Sequence, residues 1–226
     1  MAATGLTEQE NVGDREPVLD VVDRVCELCF GLFMALTFVG TVSAVGAGAD
    51  AGHKMFYTAL GCNLAWGLAD AVMYLVRTLI ARGRRVTLAH AVRSEPDAAV
   101  GVRTLRDAMA EWLKPLIGDT ELESMRKRLA TLPDVPRRAV FVRADFIGAA
   151  GIFLLVVCAT FPVALPFLLI ANVPTALIVS RVLTVVMLFG SGMALGHYAG
   201  FRGWQAGLAM AALGVLLTVA IILLGG

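Results

Sequence analysis

The chain has 226 residues, is 58% hydrophobic and has a mean hydropathy of +0.77. Ordinary soluble domains are about 45–50% apolar, so a water-soluble globular domain is excluded and an integral membrane protein is expected. The net charge of +1 averages over different compartments, because 12 basic and 8 acidic side chains lie between residues 81 and 142, and it points to no nucleic-acid partner. The four cysteines, at 26, 29, 62 and 158, fall in or beside apolar runs, where thiols act as small hydrophobes and no disulfide framework is indicated.

Residues 1–17 are polar, acidic and closed by Pro17, and read as a cytoplasmic tail. They lack the basic-then-apolar order of a cleaved signal peptide, so the first span is expected to act as the insertion signal. Residues 18–80 hold two spans. Leu28 to Ala49 is a run of 22 uncharged residues, enough to cross a hydrocarbon core of roughly 30 Å, and makes span one. Gly46 to Gly52 is the turn, and span two runs from about Met55 to Val76. Arg77, Arg82, Arg84 and Arg85 then mark a cytoplasmic end by the positive-inside rule, which leaves the N-terminus cytoplasmic.

Residues 81–142 form a small cytoplasmic helical insert. Val102, Leu105, Met109, Trp112 and Leu116 repeat at three and four, which predicts a helix from about 98 to 117 ended by Gly118. Thr120 and Glu123 fit a capping box before a second helix striped by Leu122, Met125, Leu129 and Leu132 and stopped by Pro133. Such a unit is marginal alone and is expected to lean on the membrane part or on a second copy.

Residues 143–226 hold spans three to five. The 35 uncharged residues from Phe146 to Ser180 are too many for one span, and Asn172-Val173-Pro174 is the natural break. This gives span three at about 145–170, bent by Pro162 and Pro166, span four at about 174–197 and span five at 203–226. The fold class expected is thus all-α, a five-span bundle with its C-terminus outside. On this topology 17 of the 19 Lys and Arg are cytoplasmic, with Lys54 outside and Arg181 within span four.

Span two carries the chemistry. Asn63, Asp70 and Arg77 recur every seven residues and so share one helical face. A carboxylate in hydrocarbon costs at least about 2.5 kcal/mol, which makes Asp70 either a functional acid in a watered interior or the partner of Arg77. On span one, Asp20, Asp23, Glu27, Met34 and Thr41 share a face whose cytoplasmic half is acidic. Those acids form either a vestibule for a cation or ordinary interfacial charges paired with arginines. Cys26 and Cys29 make one CxxC with no second pair to complete a tetrahedral site, and no Walker loop, HExxH or nucleophile elbow is present, so an enzyme and a bound cofactor are not expected.

Phe30-Gly31 in span one, Leu188-Phe189-Gly190, Gly203-Trp204-Gln205-Ala206-Gly207-Leu208-Ala209-Met210, Gly214 and the closing Gly225-Gly226, set in this layout of spans, resemble the vacuolar iron transporter family. The resemblance implies proton-driven exchange of divalent iron or manganese by a homodimer whose first spans meet near the two-fold axis. The resemblance carries a metal role onto Asp70 and Met73, and the shared helical faces add Asn63, Met34 and Glu27 as the other candidate ligands, with the Met73 sulfur favouring iron or manganese over calcium. Two departures stand beside it. Leu32-Phe33-Met34 occupies the place of the family's span-one aspartate, and Asp107, Glu111, Glu121 and Glu123 lie among arginines where the family has Glu-x-x-Glu pairs. The membrane expected is the inner cell membrane rather than that of an organelle. The competing reading is a non-transporting scaffold whose insert binds a protein partner or lipid headgroups through Arg82, Arg84, Arg85, Arg137 and Arg138.

Overall fold

A computed structural model describes residues 21–45, 51–133 and 135–224; the expected tail, Asp20, the turn at 46–50 and the closing glycine pair lie outside them. Regular structure among the described residues is helical throughout: α1 (Val21–Val45), α2 (Ala51–Ser94), α3 (Ala98–Asp107), a 3-10 turn (Lys114–Leu116), α4 (Asp119–Thr131), α5 (Arg143–Ala164), α6 (Pro166–Leu169), α7 (Val173–Tyr198) and α8 (Gly203–Leu223). Four segments are long and apolar enough to cross a membrane: Gly52–Ser94, Arg143–Leu169, Val173–Tyr198 and Gly203–Leu223. Their length and composition mark a multi-pass integral membrane protein.

The chain divides into two compact units, one holding residues up to Met73 with Ala144 onward, the other Tyr74–Arg143. In the first, α5 is the buried element. Asp145, Gly148, Ala149, Ile152, Val156, Ala159, Thr160, Val163 and Ala164 recur at three and four and are all enclosed. Neighbouring helices reach it where they carry no side chain. A Cβ on Gly31 of α1 would meet the Val156 carbonyl oxygen at 3.3 Å, and one on Gly67 of α2 the Phe153 carbonyl oxygen at 3.3 Å. Such contacts let backbones approach where lipid supplies no hydrophobic drive to association.

On α7 the buried residues are Ala176, Ser180, Thr184, Leu188, Gly192 and Gly196, one every fourth position. A step of four overshoots a full turn by about 40°, so the buried row winds around the helix and changes partner along it. Ala176 accordingly packs with Met55 and Phe167, Ser180 donates to the Val163 carbonyl at 2.7 Å, and Leu188 joins Leu32 and Leu36 of α1. Gly192 and Gly196 meet α8. The break expected at Asn172-Val173-Pro174 is there, with the Asn172 carboxamide oxygen accepting from the Thr175 amide at 3.1 Å. At the other end Gly200 takes a φ of 74° and the Phe201 amide closes on the Gly196 carbonyl at 2.9 Å, a Schellman turn into α8. Pro162 lies inside α5, while Pro166 opens the separate turn α6 instead of bending a continuing helix.

The second unit departs from the expected insert in three ways. First, α2 does not stop at its arginines but runs on to Ser94, and Leu88 and Val92 from this extension pack with Leu105 and Leu122. The unit thus builds its small core on the end of a long helix. Second, α3 ends at Asp107, and the chain passes through turns to the 3-10 segment at Pro115; Trp112 and Leu116, expected on the apolar stripe, are 71% and 70% exposed. Proline lacks the amide that a continuing helix would use. Third, α4 begins at Asp119 with Gly118 as its cap, and Glu123 pairs with Arg126 at 2.7 Å rather than closing a box with Thr120. Arg82 donates to the Val140 carbonyl and the His90 ring meets the Pro136 carbonyl oxygen, which fastens the irregular segment before α5 to the extension of α2.

Candidate functional site

The candidate residues lie on α1 and α2, and two anchors fix their levels. Phe30 stacks on Trp66 with ring centroids 6.3 Å apart and planes 11° apart. Against α5 and the α6 turn that follows it, α2 runs antiparallel: Gly52 lies by Phe167 of α6, and Asn63 by Thr160 and Gly67 by Phe153 of α5. Helix α1 runs parallel to α5, since Gly31 lies by Val156 and the later Leu36 by Val163 in one apolar cluster. The first two helices are therefore antiparallel, and a step back along α1 matches a step forward along α2.

Counted from the aromatic stack, Glu27 is three residues back on α1 and Asp70 four residues on along α2, about 5 and 6 Å in the same direction. Met34 and Asn63 fall at a common level on the other side by the same count. Four of the five sequence-derived residues thus make two levels flanking the Phe30–Trp66 pair. Met73 does not join them; it is 51% exposed on the outer surface of α2.

The side chains differ in what they have left to offer. Asn63 is buried, 1% exposed, and its amide nitrogen donates to the Thr160 hydroxyl, which donates in turn to the Val156 carbonyl at 3.1 Å. Asn63 is therefore a helix-to-helix fastener in this arrangement. Asp70 and Glu27 are half-buried and each has a polar or electrostatic contact of its own. The Asp70 Oδ2 atom is closed off from solvent. One turn before it, the Trp66 indole nitrogen is buried with no acceptor among the described residues, although leaving such a donor unmet costs about 1–3 kcal/mol. A carboxylate and an N–H donor thus line the same stretch of α2 wall. Among the described residues no three His, Cys, Asp or Glu side chains come together to hold a metal.

Sequence reasoning passed over Asp145. It is 4% exposed in the first turn of α5, in register with Gly148, Ala149 and Ile152 on the buried stripe. That three-and-four spacing was the available signal; the neighbouring Arg143 made the residue look like a span end. Ser180 and Thr184 were also missed, both buried, with Thr184 donating to the Ser180 carbonyl at 2.8 Å. In the second unit a cavity of about 480 Å³ between α3 and α4 is lined by Arg103, Arg106, Asp119 and Glu123, with Arg106 bridged to Asp119 at 2.5 Å. The Glu123 carboxyl is held below its ordinary range, chiefly by the hydrogen bond from Arg126.

No family model matches this chain, and no curated protein matches it in sequence.

Proposed function

We propose that the protein carries a divalent cation across the membrane in exchange for protons, with Asp70 as the carboxylate that alternates between the two. The observation that carries this reading is an acid half-buried within the otherwise uncharged stretch of α2 from Met55 to Val76, level with a second acid, Glu27, on the neighbouring helix. Ionisable groups at such depth are expensive and are retained at ion and proton pathways. Two carboxylates neutralise a divalent charge, and each is able to take up a proton when the ion leaves. Met34, one level along, offers a soft sulfur, and with the resemblance to vacuolar iron transporters it favours iron or manganese as cargo.

The same reading makes α1 a fifth span, since its 25 residues reach about 37 Å, and puts the N-terminus and the arginine-rich unit in the cytoplasm of a cell with the protein in its inner membrane. It also makes the working form a homodimer. Asp70→Asn keeps the shape of the side chain and removes its titration. The variant is expected to express and fold as the parent does but to lose proton-coupled metal uptake in proteoliposomes. Undiminished uptake by Asp70→Asn would remove the site from the account.

A second reading has its own observation. Trp112 and Leu116 stand exposed on the arginine-rich unit, as on a surface that a protein partner or lipid headgroups would cover. It predicts a protein with no flux at all, whose activity lies in that unit.

A further inference from the structure

The hairpin of α7 and α8 is closed tightly at one end and open at the other. Near the turn, a Cβ on Gly192 would lie 2.6 Å from the Ala206 carbonyl oxygen, and one on Gly207 2.9 Å from the Phe189 carbonyl oxygen, so the backbones touch. Glycine contacts of this kind end at Gly214, which faces Leu188. Beyond that point branched side chains hold the helices apart and leave a cavity of about 320 Å³, walled by Val182, Val185 and Val186 of α7 and Val215, Thr218 and Val219 of α8. The Thr218 hydroxyl is turned away onto the Gly214 carbonyl at 2.8 Å, so the wall is apolar.

Arg181 lines the end of this cavity. No hydrogen bond or ion pair joins it to another described residue, which is unusual for a cation in an apolar helix. Its depth follows from the turn. Tyr198, Phe201 and Trp204 are exposed there, as aromatic side chains are at a membrane–water interface. Arg181 lies 18 residues back along α7 from Ala199, about 27 Å, close to the roughly 30 Å thickness of the hydrocarbon core. The guanidinium is thus at the headgroup level of the opposite leaflet, on a stem flexible enough to reach outward.

We propose that this cavity holds one anionic phospholipid, with its phosphate on Arg181 and an acyl chain along the valine wall. A guanidinium paired with no anion among the described residues, at the mouth of an apolar groove, selects a ligand that is negative at one end and hydrocarbon at the other, and a lipid of that leaflet already has both ends at the right depth.

Native mass spectrometry of the full chain, with phosphatidylglycerol or phosphatidylcholine of equal chain length added to the micelles, tests this. The parent protein is expected to retain phosphatidylglycerol about fivefold more tightly, the factor one cation gives at a membrane surface. Arg181→Gln should abolish the preference, Arg181→Lys should keep most of it, and Val186→Trp should lower retention of both lipids with the cation in place. Equal retention of the two lipids by the parent protein overturns the proposal without reference to any variant. So does a preference that survives in Arg181→Gln. A dimer that Val186→Trp breaks, with no headgroup preference in the parent, identifies the groove as a contact between copies and equally overturns it.

Discussion

Asn63 shows what a sequence interval does and does not reveal. Its spacing of seven from Asp70 puts the two on one face of α2, a helix that runs unbroken through both. Its amide, however, is taken by Thr160, 97 positions away, and nothing local to either residue announces that pairing. Asp145 was hidden for the opposite reason: its stripe was readable, but a charge at the end of an apolar run looks interfacial until the neighbouring helices are in place. The Asn63–Thr160 pair gives a direct test. Thr160→Val preserves volume but strands a buried amide, and the full chain in detergent should lose about 1–2 kcal/mol of stability in thermal unfolding, since polar pairs between membrane helices contribute about 0.6–1.7 kcal/mol. Asn63→Leu combined with Thr160→Val should regain most of that loss, because no polar group is then left unmet. An unaltered melting temperature in Thr160→Val would mean that the pair does not hold α2 to α5.

At the level of elements, the long apolar runs were legible because a bilayer imposes a length that sequence can count. The four apolar segments, though not the far end of α2, and the Asn172 break follow from run length and proline alone. Helix α3 was overextended because periodicity registers apolar side chains whether or not the backbone between them stays helical, and Trp112 and Leu116 were the residues misassigned. The close approach of α7 and α8 was less legible, since Gly190 and Gly192 look alike in sequence. The structure separates them: a Cβ at Gly190 has nothing within 4 Å, while one at Gly192 would run into the backbone of α8 at Ala206 and Gly207. Gly192→Ala should therefore cost about 1–3 kcal/mol, an overpacking that backbone cannot relieve. Gly190→Ala should be neutral or stabilising by up to about 1 kcal/mol, as expected when alanine replaces glycine in a helix. Thermal unfolding of the two variants side by side checks the pairing, and equal effects would contradict it.

For the whole molecule, composition alone dictated an integral membrane protein, and four long apolar helices make it multi-pass. What composition cannot dictate is whether such a bundle moves anything, because the same apolar runs serve a scaffold as well as a transporter. That question rests on a few polar atoms, Asp70 and Glu27 foremost, whose levels become comparable only once the Phe30–Trp66 stack sets α1 against α2. The central claim is exchange of a divalent cation for protons. It is tested most directly by reconstituting the unaltered full chain into liposomes that hold both a metal-sensing and a pH-sensing dye, and adding ferrous iron or manganese outside. The account predicts metal entry with alkalinisation of the lumen as protons leave, both faster when the lumen starts acidic. Metal and pH traces no different from those of protein-free liposomes, with the protein folded and inserted, would contradict it.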